Sequence, residues 1–200
     1  MHMFSGNIGN KMIKLKISEK ELADAICFDL KKIVKKIESK NENIYAIAFV
    51  TDEYIQSFNI FVGTEQSLMK QIDYYRKKVY RNSKESDIDG LDSELRWNPA
   101  EWCYDCDDVM DSKVVKISQE LFHNKAERSA EVKAEFYELI SSVVKKLDES
   151  EELNLSSKRN NITLFISSLD DDNSIDIENY SAKLLNSKKI YNRFKSRYDE

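Results

Sequence analysis

A chain of 200 residues, 41% hydrophobic, is long enough to bury one core of ordinary domain size. Its formal net charge of -5 hides an asymmetry: Glu85 to Asp111 carries ten acids against one base, Arg96, so the remainder is net positive. Such a field repels nucleic acid and attracts basic partners. No apolar run approaches the length of a membrane span, and four Gly and one Pro leave no room for a Gly-rich phosphate loop.

The leader "MHMFSGNIGNKM" reads as irregular, with His2-Met3 resembling a cloning scar, so residues 1–16 are set apart from a single domain over 17–200. "SEKELADAICFDLKKIVKKIE" opens with Ser18 and places Glu21 three residues on, a capping box. Leu22, Ile26, Leu30, Ile33 and Ile37 then form one apolar stripe, which predicts a helix over 19–38.

"IYAIAFVTDEYIQSFNIFVGTE" predicts a hairpin of strands 44–51 and 57–63. Alternation puts Tyr45, Ile47 and Phe49 on one face and the smaller Ala46, Ala48 and Val50 on the other, where a helix can pack closely. Thr64 is placed to cap a helix lined by Leu68, Ile72, Tyr75 and Val79. Residues 81–94 read as an acidic surface loop, leading into a strand that ends at Arg96-Trp97.

Pro99 lacks an N–H and holds Asn98 extended, so the chain turns at Asn98-Pro99-Ala100-Glu101. Trp97 and Trp102 are expected to meet across that turn, with Arg96 stacking or pairing with Glu94 or Glu101. Arg96, Trp97, Pro99 and Trp102 therefore make a structural corner. Beyond it, "SKVVKISQELFHNK" predicts a short helix, and the longer helix near 129–148 is lined by Val132, Phe136, Leu139, Ile140, Val143 and Leu147. The strand at 162–168 is apolar on both faces and reads as interior, followed by a helical tail with Tyr180, Leu184, Tyr191, Phe194 and Tyr198. The expected fold class is α+β: a single domain whose antiparallel or mixed central sheet, of about four strands, is covered by helices.

Cys103-x-x-Cys106 has the spacing of a zinc half-site or redox motif. A closed site needs two more ligands, yet Cys27 lies within a helix, His2 in the leader, and His123 alone. Glu101, Asp105, Asp107, Asp108 and Asp111 surround the pair and disfavour the thiolate that redox catalysis requires. Two ordinary thiols are expected, with no metal and no cofactor. His123 reads as the end of a helix, and Asp170 to Asp172 as solvated acids that do not match a calcium loop.

The "LRWNPAEWCYD" block, following "YAIAFVTDEYIQSFNIFVGTEQSL" and preceding "ITLFISSLDDD" and "AKLLNSKKIYNRF", resembles a bacterial family, domain of unknown function 4303. The likeness spans about Leu22 to Phe194, and the CYDC pair departs from it. Proteins of that kind look like immunity proteins encoded beside polymorphic or contact-dependent toxins. The resemblance implies a small cytoplasmic, non-enzymatic binder that neutralises a cognate toxin domain, with no assigned catalytic residues. Glu101, Asp105, Asp107, Asp108 and Asp111, with Trp97 and Trp102, are the residues expected to face a basic toxin surface. The alternative is a small metal-dependent hydrolase using the acidic corner at 101–111.

Overall fold

The computed structural model describes residues 17–84, 88–123, 129–153, 155 and 158–199. The leader expected over 1–16 lies outside the described residues, as do Glu85 and Asp87 of the acidic segment. The chain folds as one α+β domain with a four-stranded mixed sheet in the order β3-β2-β1-β4.

Helix α1 (Glu19–Ser39) starts as its sequence dictates. The Ser18 side chain accepts from the Glu21 N–H and Glu21 returns the bond to the Ser18 N–H, which satisfies two donors that a helix start leaves unpaired. Strands β1 (Ile44–Asp52) and β2 (Phe58–Thr64) pair antiparallel. The Asp52 carboxylate closes their turn by accepting from the Tyr54 and Gln56 N–H groups and the Ser57 hydroxyl. Thr64 caps α2 (Glu65–Tyr74) by accepting from the Ser67 N–H.

The simple alternation expected for β1 breaks at its first turn of pairing. Ile44 faces Thr64 but Ala46 already faces Gly63, so Tyr45 is an extra residue, a β-bulge. The bulge swings Tyr45 onto the face of Ala46, Ala48 and Val50 and away from Ile47 and Phe49. Its ring lies over Gly63, where a Cβ would stand 2.6 Å from Tyr45 Cζ. Only a residue without a side chain fits beneath it.

Residues 91–97 are helical, not a strand: α3 (Leu91–Trp97) buries Leu91 and Leu95 one turn apart. Pro99 constrains only its predecessor Asn98, which leaves the preceding seven residues free to follow this periodicity. The third strand follows the turn instead, as β3 (Tyr104–Asp105), paired antiparallel with β2. Val79, expected on the inner face of α2, is exposed. A π-helical turn, Tyr75–Val79, extends α2 and changes the angular step between side chains, so the spacing no longer returns Val79 to the core.

Helices α4 (Lys113–His123) and α5 (Ala130–Glu149) follow, then β4 (Thr163–Leu169), which runs parallel to β1. Two cores result. Side chains of α1, α4 and α5 pack with Ile47, Phe49, Ile60, Val62, Leu164 and Ile166 on one face. Tyr45, Trp97, Trp102, Phe165 and Phe194 dominate the other, with Leu68 of α2 and Leu95 of α3.

Strand β4 is buried on both faces yet is an edge strand in the pairing order. Helix α6 (Ser174–Leu185) supplies what a neighbouring strand would: Ser181 Oγ accepts from the Ile166 N–H at 2.8 Å. Asn186, just past α6, accepts from the Leu164 N–H at 2.9 Å and donates to the Leu164 carbonyl at 2.6 Å. The tail is thus two helices, α6 and α7 (Lys188–Lys195), broken at Asn186-Ser187. Tyr180, Leu184 and Tyr198 of the expected apolar row are exposed, while Ala182, Leu185, Ile190 and Phe194 are buried. Restarting the helix at the Ser187 cap resets the phase of the stripe.

Candidate functional site

The turn at Asn98-Pro99-Ala100-Glu101 forms as expected, as a 3-10 turn in which the Asn98 side chain accepts from the Ala100 N–H. Both Trp side chains it separates are buried, and they meet through a third ring. Tyr45 lies edge-to-face with Trp97 at 6.0 Å and with Trp102 at 5.6 Å, while Phe194 touches Trp97 at 5.1 Å. The indoles are therefore almost fully buried, and they contribute to the core. Burial pushes the Tyr45 hydroxyl pKa up, and its O–H donates to the Arg96 carbonyl at 3.0 Å.

Arg96 does not pair with Glu94 or Glu101. Its guanidinium makes a two-pronged contact with Glu65, at 2.9 and 2.7 Å, and stacks 4.6 Å over the Tyr45 ring. The bonds to Glu65 hold the guanidinium pKa above its ordinary value. Glu65 opens α2, 31 residues away, so no local spacing announces this pair. Glu101 instead accepts from the Tyr75 hydroxyl at 2.9 Å, and its carbonyl accepts from the Gln71 side chain.

After Trp102 the chain runs through β3 into a second 3-10 turn, Cys106–Asp108. Asp105 caps it by accepting from the Asp107 N–H at 2.8 Å; burial, the largest influence, raises the Asp105 pKa. Asp108 pairs with Lys36 of α1 at 2.8 Å, and Lys32 donates to the Met110 carbonyl at 2.8 Å. Lysines of α1 thus offset part of the acidic field. Asp107 and Asp111 are exposed and have no ion pair among the described residues; between them Met110 stands 82% exposed. Asp111 adopts a left-handed backbone, φ 59°, which turns the chain from this tip into α4.

The tip is anchored by Asp29, a residue that sequence reasoning missed. It is fully buried in α1 and accepts from Ser112 Oγ at 2.5 Å, the Val114 N–H at 2.8 Å and the Lys113 N–H at 3.2 Å, thereby capping α4 from another helix. The available signal was an Asp interrupting the apolar stripe between Ile26 and Leu30.

Cys103 is exposed and Cys106 buried, on either side of β3. Burial and then the nearby Asp29 carboxylate push the Cys106 thiol pKa up, so it is a core group of low nucleophilicity. Among the described residues, no three His, Cys, Asp or Glu side chains converge where a metal ion could be held. His123 occupies the last turn of α4, its Nδ1 2.6 Å from the Gln119 carbonyl. In the second acidic run, Asp171 lies 3.8 Å from Lys133 and caps the turn at Asn173, while Asp170 and Asp172 are exposed. Among the described residues no helix is long and apolar enough to cross a membrane.

On the far side of the corner, Arg96 and Trp97 line a cleft of about 650 Å³ between α3, α7 and the start of β1. Its walls also carry Lys158, Arg193 and Arg197. No curated protein and no solved structure matches the chain. A known protein family, described as Domain of unknown function (DUF4303), does match over residues 22–187. That match takes in the corner, the acidic tip and the sheet edge together, and the chain belongs to this family.

Proposed function

We propose that this chain is a toxin-neutralising immunity protein, a non-enzymatic cytoplasmic binder that occludes one cognate toxin domain with a basic surface. The observation that carries it is the tip at Asp107–Asp111, where a largely exposed Met110 stands between acids free of ion pairs. An apolar side chain flanked by two unpaired carboxylates supplies the two ingredients of a docking point: surface to desolvate at the centre and a field that steers the partner in. The tip is held at its base by the Lys36–Asp108 pair and the Asp29 cap, so little freedom is lost when it is engaged. The likeness of the RW-x-P-x-EW block to proteins encoded beside toxins supports the same reading.

The test has two steps. The gene should lie directly downstream of a large toxin gene, and the toxin's catalytic domain should bind this chain. Neutralising the unpaired Asp107 and Asp111 to Asn should then lower the association rate several-fold at low salt and flatten its salt dependence, with the fold intact. An unchanged on-rate and salt slope would remove the tip from the interface.

A further inference from the structure

The cleft beside the corner carries a charge of the opposite sign to the tip. Four cations line it, Arg96, Lys158, Arg193 and Arg197, against two carboxylates, Glu65 and Asp92. Those acids are already engaged: Glu65 holds Arg96 and Asp92 pairs with Arg76 at 3.1 Å. Arg197 spends both terminal amines inside the fold, one on the buried Glu178 at 2.7 Å and the other on Asn179 Oδ1 at 2.7 Å and the Phe194 carbonyl at 3.0 Å. Lys158 and Arg193 remain without a carboxylate partner among the described residues; Arg193 donates only to the Asn161 carbonyl and Thr163 Oγ1, at 3.2 and 3.3 Å.

The second observation is Arg197 itself. It is 5% exposed, and its Nε is buried with no hydrogen-bond partner. A buried guanidinium N–H left unsatisfied is costly, and such groups are normally paired. Two cations without a carboxylate partner, and an arginine whose buried Nε is unpaired, thus line one cleft, an arrangement that an anion would complement.

We infer that this cleft binds a small molecule bearing a phosphate monoester. About 650 Å³ falls within the range of small-molecule sites. Lys158 and Arg193 match the two charges of the ester, Lys as a point charge and Arg as a planar fork. Asn43, Ser93, Asn161 and Ser196 give the polar remainder of the wall, suited to hydroxyl groups on the esterified part. Tyr45 and Trp97 are too deeply buried to offer a stacking face, so an aromatic base is not what the site selects. The site is separate from the acidic tip and stands whether or not a toxin docks there.

Calorimetric titration at fixed ionic strength tests it, with glycerol 3-phosphate as the ester probe and inorganic phosphate as the second arm. Saturable binding of glycerol 3-phosphate is expected, weakened about tenfold or more by Lys158→Gln, as loss of a charge-assisted contact requires. Lys158 is exposed and carries no ion pair among the described residues, so this variant keeps its fold; Arg193→Gln is the companion variant. Preference for the ester over inorganic phosphate supports recognition beyond the phosphoryl group, and equal affinity identifies free phosphate as the ligand source. Absence of saturable binding in both arms, or affinity indifferent to Lys158→Gln, overturns the assignment.

Discussion

Adding one methyl group at Gly63 should destabilise the protein through a single ring. The new Cβ would meet Tyr45 Cζ at 2.6 Å and the hydroxyl oxygen at 2.7 Å, well inside van der Waals contact. The ring cannot retreat, because Trp97, Trp102 and the stacked Arg96 enclose it and it is only 5% exposed. Overpacking of this kind costs about 1–3 kcal/mol, and breaking the bond from the Tyr45 hydroxyl to the Arg96 carbonyl adds about 1 kcal/mol. Removing glycine's freedom from the unfolded chain returns roughly half a kcal/mol. Gly63→Ala should therefore lose about 1.5–3.5 kcal/mol, read as a lowered urea midpoint with an unchanged m-value. In a Tyr45→Leu background the same substitution meets no ring and should be close to neutral. A double-mutant cycle with coupling below about 0.5 kcal/mol would refute the reasoning, since independent sites add within that margin.

Asp29→Ala should cost about 3 kcal/mol by leaving the Ser112, Lys113 and Val114 donors uncapped, with α4 showing the earliest loss of hydrogen-exchange protection. A uniform loss across all helices would count against a local cap. Of the three cysteines, Cys103 alone should react quickly with a disulfide reagent in the folded state, because Cys106 is buried with its pKa raised and Cys27 is half-buried with its pKa also raised by burial. Fast labelling of two thiols would contradict this. Burial raises the Glu178 pKa above 4.5, so between the unfolded and folded values the native state holds a proton that the unfolded chain has lost. Stability from this group therefore falls as pH climbs from about 4.5. Relative to wild type, Glu178→Gln should gain stability over that climb in urea melts, and a pH-independent difference would refute it.

The elements most legible in the sequence were those specified by neighbours. Ser18 with Glu21, Thr64 ahead of α2, and Asn98 before Pro99 each satisfy backbone donors within three residues, and all three formed as their chemistry dictates. The α+β class followed from two-faced strands and single-striped helices. What failed was set by long-range geometry or by a break in periodicity. The Tyr45 bulge depends on Gly63 across the hairpin, and the partner of Arg96 lies on a different helix. Leu91 and Leu95 carried the helical spacing of α3, but two apolar positions in a seven-residue segment are too few to separate a helix from a strand. The acids of the tip were visible as charge; that Lys36 offsets Asp108 while Asp107 and Asp111 stay free required the packing of α1 against the turn.

The sealed margins of the sheet restrict how any protein can attach to it. Ser181 and Asn186 already occupy the outward backbone groups of Ile166 and Leu164 on β4. At the opposite margin β3 is only two residues long, and Ser118 Oγ takes up the Phe58 N–H beyond it, at 3.1 Å. An incoming extended segment would find few main-chain donors or acceptors to pair with on either side. Recruitment by strand addition, a frequent mode of peptide capture, is thereby disfavoured. Any protein that did bind would read mainly side chains projected from turns and helices. Substitutions at those side chains would alter such a contact while the hydrogen-bonded frame beneath stays the same.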